Sequence, residues 1–150
     1  YTGLPGVLGW NWHQRQQRAV GGDQVVTERA LAIVDFYMTR SPDEARSFLA
    51  RYDVSYVIVG QLERIYFERI RPCLPGVDGS PVTCDLAGWP MGMTQPLVSA
   101  AECTPLDASN PGSMLECPTY GLDKFPAMAA QGLLKPVYQD GGTTVYEVVR

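Results

Sequence analysis

The sequence is short of the residues on which most catalytic and nucleic-acid readings depend. It has one histidine, His13, and two lysines, Lys124 and Lys135, in 150 residues. With a net charge of −4 and an isoelectric point near 4.9, it has no basic stripe to follow a phosphate backbone, which excludes a nucleic-acid partner. No window of about 18 apolar residues occurs, so no transmembrane helix is expected. There is no P-loop, no dinucleotide fingerprint, and no serine or cysteine in a nucleophile motif. The carboxylates show no pairing pattern, and neither a catalytic residue nor a cofactor is expected. A C-x-x-C pair is also missing and His13 is remote from the cysteines, which argues against structural zinc. The chain opens at Tyr1 without methionine or a signal-peptide pattern, the expectation for a piece processed from a longer protein.

What is present is a hydrophobic share of 45%, enough for one domain over residues 1–150 with its own core. Its centre is the stretch Arg51 to Arg64. Val54, Tyr56, Val57, Ile58 and Val59 form a β-branched and aromatic run closed by Gly60, which predicts a central strand buried on both faces. Before it, Ser41-Pro42-Asp43-Glu44 is a capping box with proline at the first helical position. A helix to about Tyr52 follows, with Ala45, Phe48, Leu49 and Tyr52 on one face. Upstream, Gly21-Gly22-Asp23 turns into a helix to about Met38 that carries Val26, Ala30, Ile33, Val34 and Tyr37 at helical spacing. Downstream, Gln61 to Ile70 reads as a helical turn or loop, and Leu122 to Leu134 as a short helix with Phe125, Met128, Ala129 and Leu133. Leu134 to Tyr138 and Thr143 to Val149, joined at Asp140-Gly141-Gly142, predict a hairpin. The expected fold is α/β: a small mixed sheet with a buried central strand, about three helices, a C-terminal β-hairpin and an irregular insertion.

That insertion, residues 71–119, holds all four cysteines and eight of the twelve prolines and shows no sustained period. Its apolar residues are too scattered for a separate core, so it is expected to be dispensable to the fold. Cys73, Cys84, Cys103 and Cys117 allow three disulfide pairings. The local one, Cys73–Cys84 with Cys103–Cys117, closes two short loops, each worth about 3 kcal/mol on chain entropy. Disulfides place the chain in an oxidising, extracytoplasmic compartment. Four free thiols in a cytosolic loop are the competing reading.

Two stretches are candidates for ligand contact. Trp10, Trp12, His13, Arg15 and Arg18 gather two indoles, an imidazole and two guanidinium groups, suited to stack on a sugar ring or hold a phosphate. The loop Gln61 to Tyr66, with Glu63, Arg64 and Tyr66, lies beyond the carboxyl end of the central strand, where open α/β sheets bind ligands. In the competing reading the same groups form a polar network that pins the N-terminal segment to the sheet, with Glu63 and Arg64 as a structural ion pair.

Several of these segments carry a resemblance. Thr2-Gly3-Leu4-Pro5, Val7-Leu8-Gly9-Trp10, His13, Gln16, Arg18, the Arg29…Ile33…Tyr37 helix, YDVSYVIVGQLER, Tyr66, Tyr120-Gly121-Leu122-Asp123-Lys124-Phe125 and the closing VYEV together resemble the C-terminal soluble region of the "YYY" family. These are polytopic membrane proteins of Chloroflexi-type bacteria and archaea, similar in architecture to GT-C glycosyltransferases. The pattern departs from the family at Gln14 and Gln17, where an acidic residue and a tryptophan are usual, and in the long insertion. The resemblance implies an extracytoplasmic accessory domain attached to the membrane module of the same polypeptide, which helps to bind an acceptor glycan or a polyprenyl-phosphate sugar. The catalytic acid of such enzymes sits in the membrane module, so the domain alone is expected to be inactive. The alternative is a non-catalytic extracytoplasmic module that docks a protein partner or assembles copies of itself.

Overall fold

Val26, Ala30 and Val34 recur every four residues and, with Phe36 and Met38, turn one side of a helix into core. In the computed structural model this helix, α1, spans Asp23–Met38, and all five side chains are at most 4% exposed. The structure describes residues 6–8, 23–74, 83–84, 100–110 and 112–150. Helix α2 spans Pro42–Arg51; Ser41 Oγ accepts the Glu44 N–H at 3.3 Å, one arm of the expected capping box. The other arm is relayed. The Ser41 N–H donates to Thr39 Oγ1 at 3.1 Å, and the Thr39 hydroxyl donates to the Glu44 carboxylate. Ala45 and Leu49 are buried, and Phe48 stacks on Phe36 with ring centroids 4.4 Å apart, which joins α2 to α1. The chain leaves α2 through Asp53 at φ 49°, and the Val54 N–H returns to Leu49 O at 3.0 Å.

Strand β1, Tyr56–Val59, is where the structure corrects the sequence reading. Val57 and Val59 face the helices and are buried, whereas Tyr56 and Ile58 are about half exposed. β1 is not central but an edge strand, in a three-stranded sheet whose middle strand is β7 (Thr143–Val148) and whose other edge is β6 (Leu134–Asp140). A continuous β-branched run marks a strand, yet it does not reveal whether a second layer of helices exists to cover the other face. Among the described residues every strand pairing is antiparallel, so two antiparallel sheets stand where one mixed sheet was expected.

Directly after β1, the Gly60 N–H donates to the Glu63 carboxylate at 2.8 Å and helix α3, Gln61–Phe67, begins, the helical one of the two forms expected for this stretch. The stretch expected to be irregular contributes short strands where it is described, beside a 3-10 turn at Ala100–Glu102 and further turns. The strands are β2 (Arg69–Leu74), β3 (Thr83–Cys84), β4 (Thr104–Pro105) and β5 (Leu115–Pro118), in a second antiparallel sheet of order β3–β2–β5–β4. Cys103 and Cys117 are joined by a disulfide. Cys73 is disulfide-bonded as well, and its register partner across β2 and β3 is Cys84.

A 3-10 turn, Gly121–Asp123, leads into helix α4, Lys124–Ala130, whose Phe125 and Met128 are fully buried. Strands β6 (Leu134–Asp140) and β7 (Thr143–Val148) then form the C-terminal hairpin. Gly141 and Gly142, at φ 53° and 78°, make the two-residue turn, a conformation that selects glycine because both positions need positive φ. The α/β class and the hairpin are thus as the periodicities predict. One hydrophobic cluster takes side chains from all four described helices and from both sheets, including Cys73, Leu115 and Cys117 of the cysteine-bearing stretch. No described helix is long and apolar enough to cross a membrane.

Candidate functional site

Of the residues singled out for ligand contact, Trp10, Trp12, His13 and Arg18 lie outside the described residues, so the structure brings together only those on α3. Glu63 receives the Gly60 N–H as a helix cap. Arg64 Nη1 sits 2.7 Å from Glu68 Oε1 one turn along the same helix, with both side chains nearly half exposed. The ion pair expected between Glu63 and Arg64 is therefore replaced by two separate duties, one capping and one stapling α3. An exposed pair of this kind contributes about 0.3–0.5 kcal/mol. Because the sheet is antiparallel, the rule that places ligands beyond the carboxyl ends of parallel strands does not transfer to this helix.

What α3 does present is an apolar stripe. Leu62, Ile65 and Tyr66, at i, i+3 and i+4, are 63%, 69% and 55% exposed, while Phe67 on the opposite side enters the core. The signal was legible in QLERIYF as helical spacing, but its outward direction was not, since a stripe at that spacing is more often core.

A second cluster, which the sequence reading missed, lies under the turn from Thr119 to Lys124. The Lys124 side chain is only 3% exposed; its Nζ donates to Tyr37 O at 3.1 Å and Gly121 O at 2.8 Å. It stands 4.2 Å from the Phe125 ring centroid and 5.3 Å from that of Phe36. The lysine thus caps one carbonyl, Tyr37 O, at the C-terminal end of α1, where the helix dipole favours a cation, and one in its own 3-10 turn. Burial draws its ammonium down from 10.5 to about 7. Tyr37 is held on its other side: its hydroxyl donates to Ile58 O at 2.9 Å and its ring stacks on Phe67 at 4.8 Å. Burial, then the negative charge of Glu63, pushes the Tyr37 phenol well above its usual range.

Thr119 ties this cluster to the cysteine-bearing sheet. Fully buried, it donates its hydroxyl to Phe67 O, accepts the Gly121 N–H at 3.3 Å and gives its own N–H to Glu68 O at 3.0 Å. Arg40 Nε donates to Thr119 O at 3.1 Å, and the same guanidinium lies 4.6 Å from the Tyr120 ring centroid. Every polar group named in this cluster bonds inward, so its chemistry is that of a structural junction. The one sequence hint was a lysine set inside the apolar segment Leu122 to Met128, in a chain with only two lysines.

Among the described residues no group of three or more histidine, cysteine, aspartate or glutamate side chains is placed to hold a metal ion. The arrangement as a whole offers an outward apolar helix and an inward polar junction. Compared with models of protein families, with curated proteins and with solved structures, the chain finds no match in any of the three.

Proposed function

We propose that this chain is an accessory domain without chemistry of its own, held on the extracytoplasmic side of a polytopic, glycosyltransferase-like membrane protein of the kind its motifs resemble. It works by contact with the membrane module of the same polypeptide. The observation that carries the reading is the outer stripe of α3, where Leu62, Ile65 and Tyr66 leave more than half of their surface in water. Covering a large apolar side chain fully is worth about 1.5–3 kcal/mol, so three adjacent ones are a sizeable driving force for docking. The Cys103–Cys117 disulfide supports the compartment, because such bonds persist where thiols are not kept reduced. In the finer form of the reading the domain helps to hold an acceptor glycan or a polyprenyl-phosphate sugar. Tyr66, half exposed at the end of the stripe, is the described residue suited to stack on a sugar ring.

The test uses the parent membrane protein with Leu62→Glu and Ile65→Glu together. Both positions face solvent, so the melting temperature of the domain is expected to stay within a few degrees of the wild type. Cross-links between domain and membrane module, and sugar transfer from a polyprenyl-phosphate donor, are expected to fall at least tenfold. Sugar transfer by the isolated domain, or unchanged cross-linking and transfer in the double variant, would sink the proposal.

A further inference from the structure

The sheet of β1, β7 and β6 has one face in the core and one in water. Val57, Val59, Tyr146 and Leu134 belong to the core cluster. Strand alternation and the antiparallel register then fix the outer face. One row across it is Ile58, Val145 and Tyr138, and the next is Tyr56, Glu147 and Lys135. Ile58, Tyr138 and Tyr56 are each about half exposed.

Both edges of this sheet are blunted against an added strand. Pro136 interrupts β6, with a register shift between Pro136 and Tyr138. On β1 the Ile58 carbonyl already accepts the Tyr37 hydroxyl at 2.9 Å. A partner is thus directed to the face.

That face carries its own electrostatic complement. Lys135 and Glu147 stand opposite each other in the β6–β7 ladder, yet neither is in an ion pair among the described residues. A two-fold axis along this ladder, midway between two facing sheets, exchanges β6 with β7. It sets Lys135 over the partner's Glu147, Glu147 over the partner's Lys135, and Tyr138 over the partner's Val145. A wholly apolar partner would instead bury the ammonium and the carboxylate with no counter-charge of its own.

We propose that the outer face of this sheet joins two copies of the chain, face to face about a two-fold axis, through reciprocal Lys135–Glu147 contacts flanked by Ile58, Val145 and Tyr138. Three short strands about 4.8 Å apart offer on the order of 300 Å² per copy, the scale of transient interfaces, so the dimer is weak and reversible. This assignment stands independently of the docking role of α3.

Sedimentation equilibrium of the 150-residue chain up to millimolar concentration tests it. The wild type is expected to pass from 16.5 kDa toward twice that mass as concentration rises. Lys135→Glu and Glu147→Lys each set like charges together twice across the axis, and each alone is expected to weaken the dimer at least about tenfold. Mixed one to one, the two variants form a heterodimer in which both contacts again join opposite charges. Association of the mixture is expected to return to within about threefold of the wild type. Leu62→Glu with Ile65→Glu on α3 is expected to leave the dimer intact. A wild type that stays monomeric overturns the proposal, as does a mixture that associates no better than its components, with melting temperatures showing each variant folded. Loss of the dimer in the α3 variant also overturns it, by moving the contact to that helix.

Discussion

At the scale of single residues, two positions under the Thr119 turn decide most. A Cβ on Gly121 would sit 2.3 Å from Tyr37 O and 2.5 Å from Met38 O, both backbone atoms at the end of α1. Neither can yield without unwinding the helix, so Gly121→Ala is expected to cost about 3 kcal/mol or more, read as a large fall in melting temperature. Lys124 gives a pH dependence with a definite sign. Its pKa is about 7 folded and 10.5 unfolded, so between these values the unfolded chain holds more protons and stability rises with pH. Below about pH 7 both states are protonated and the burial penalty is fully present. Denaturant unfolding at pH 7 and pH 10 is expected to show wild-type stability growing by on the order of a few kcal/mol relative to Lys124→Met, which lacks the titrating group. Parallel pH profiles for the two proteins would refute this account of the buried amine.

At the scale of elements, the cysteine-bearing sheet is bound into the fold more closely than its composition suggests. β5 pairs with β2, the Cys103–Cys117 bond ties β5 to the segment before β4, and Thr119 carries the connection to the end of α3, to Arg40 in the link between α1 and α2, and to the Gly121 turn. Replacing Pro72 to Pro118 by a short Gly-Ser linker removes Cys73, Leu115 and Cys117 from the core cluster and leaves β2 without its partner. Loss of cooperative unfolding is the expected result; a sharp transition in the truncated chain would show that the helices and the hairpin sheet suffice. A milder change, Cys103→Ala with Cys117→Ala, releases a loop of sequence separation 14. It is expected to cost about 3 kcal/mol, measured as a shift of the denaturant midpoint.

At the scale of the whole molecule, mass spectrometry under non-reducing conditions is expected to find all four cysteines oxidised, with Cys73–Cys84 as the second bond beside Cys103–Cys117. Alkylatable thiols in native material would contradict the compartment as well as the pairing. The sequence by itself determined what depends on neighbours along the chain. α1 and α2 follow from apolar spacing and from the Ser41 cap, and the hairpin from Gly141-Gly142 between two alternating runs. It did not determine what depends on neighbours in space. The run from Tyr56 to Val59 reads alike for a central or an edge strand, because β-branched residues suit both a core face and cross-strand packing in water. Glu63 and Arg64 read alike as ligand groups or as an ion pair with each other, until helix geometry put Gly60 N–H and Glu68 within their reach. Nothing local fixes Lys124 as core; only the end of α1 passing over it, with Tyr37 O accepting from Nζ beside Gly121 O of its own turn, makes it so. Propensity and capping act over a few residues and are written locally; the face a side chain turns to water is set by which elements pack, and that is decided in three dimensions.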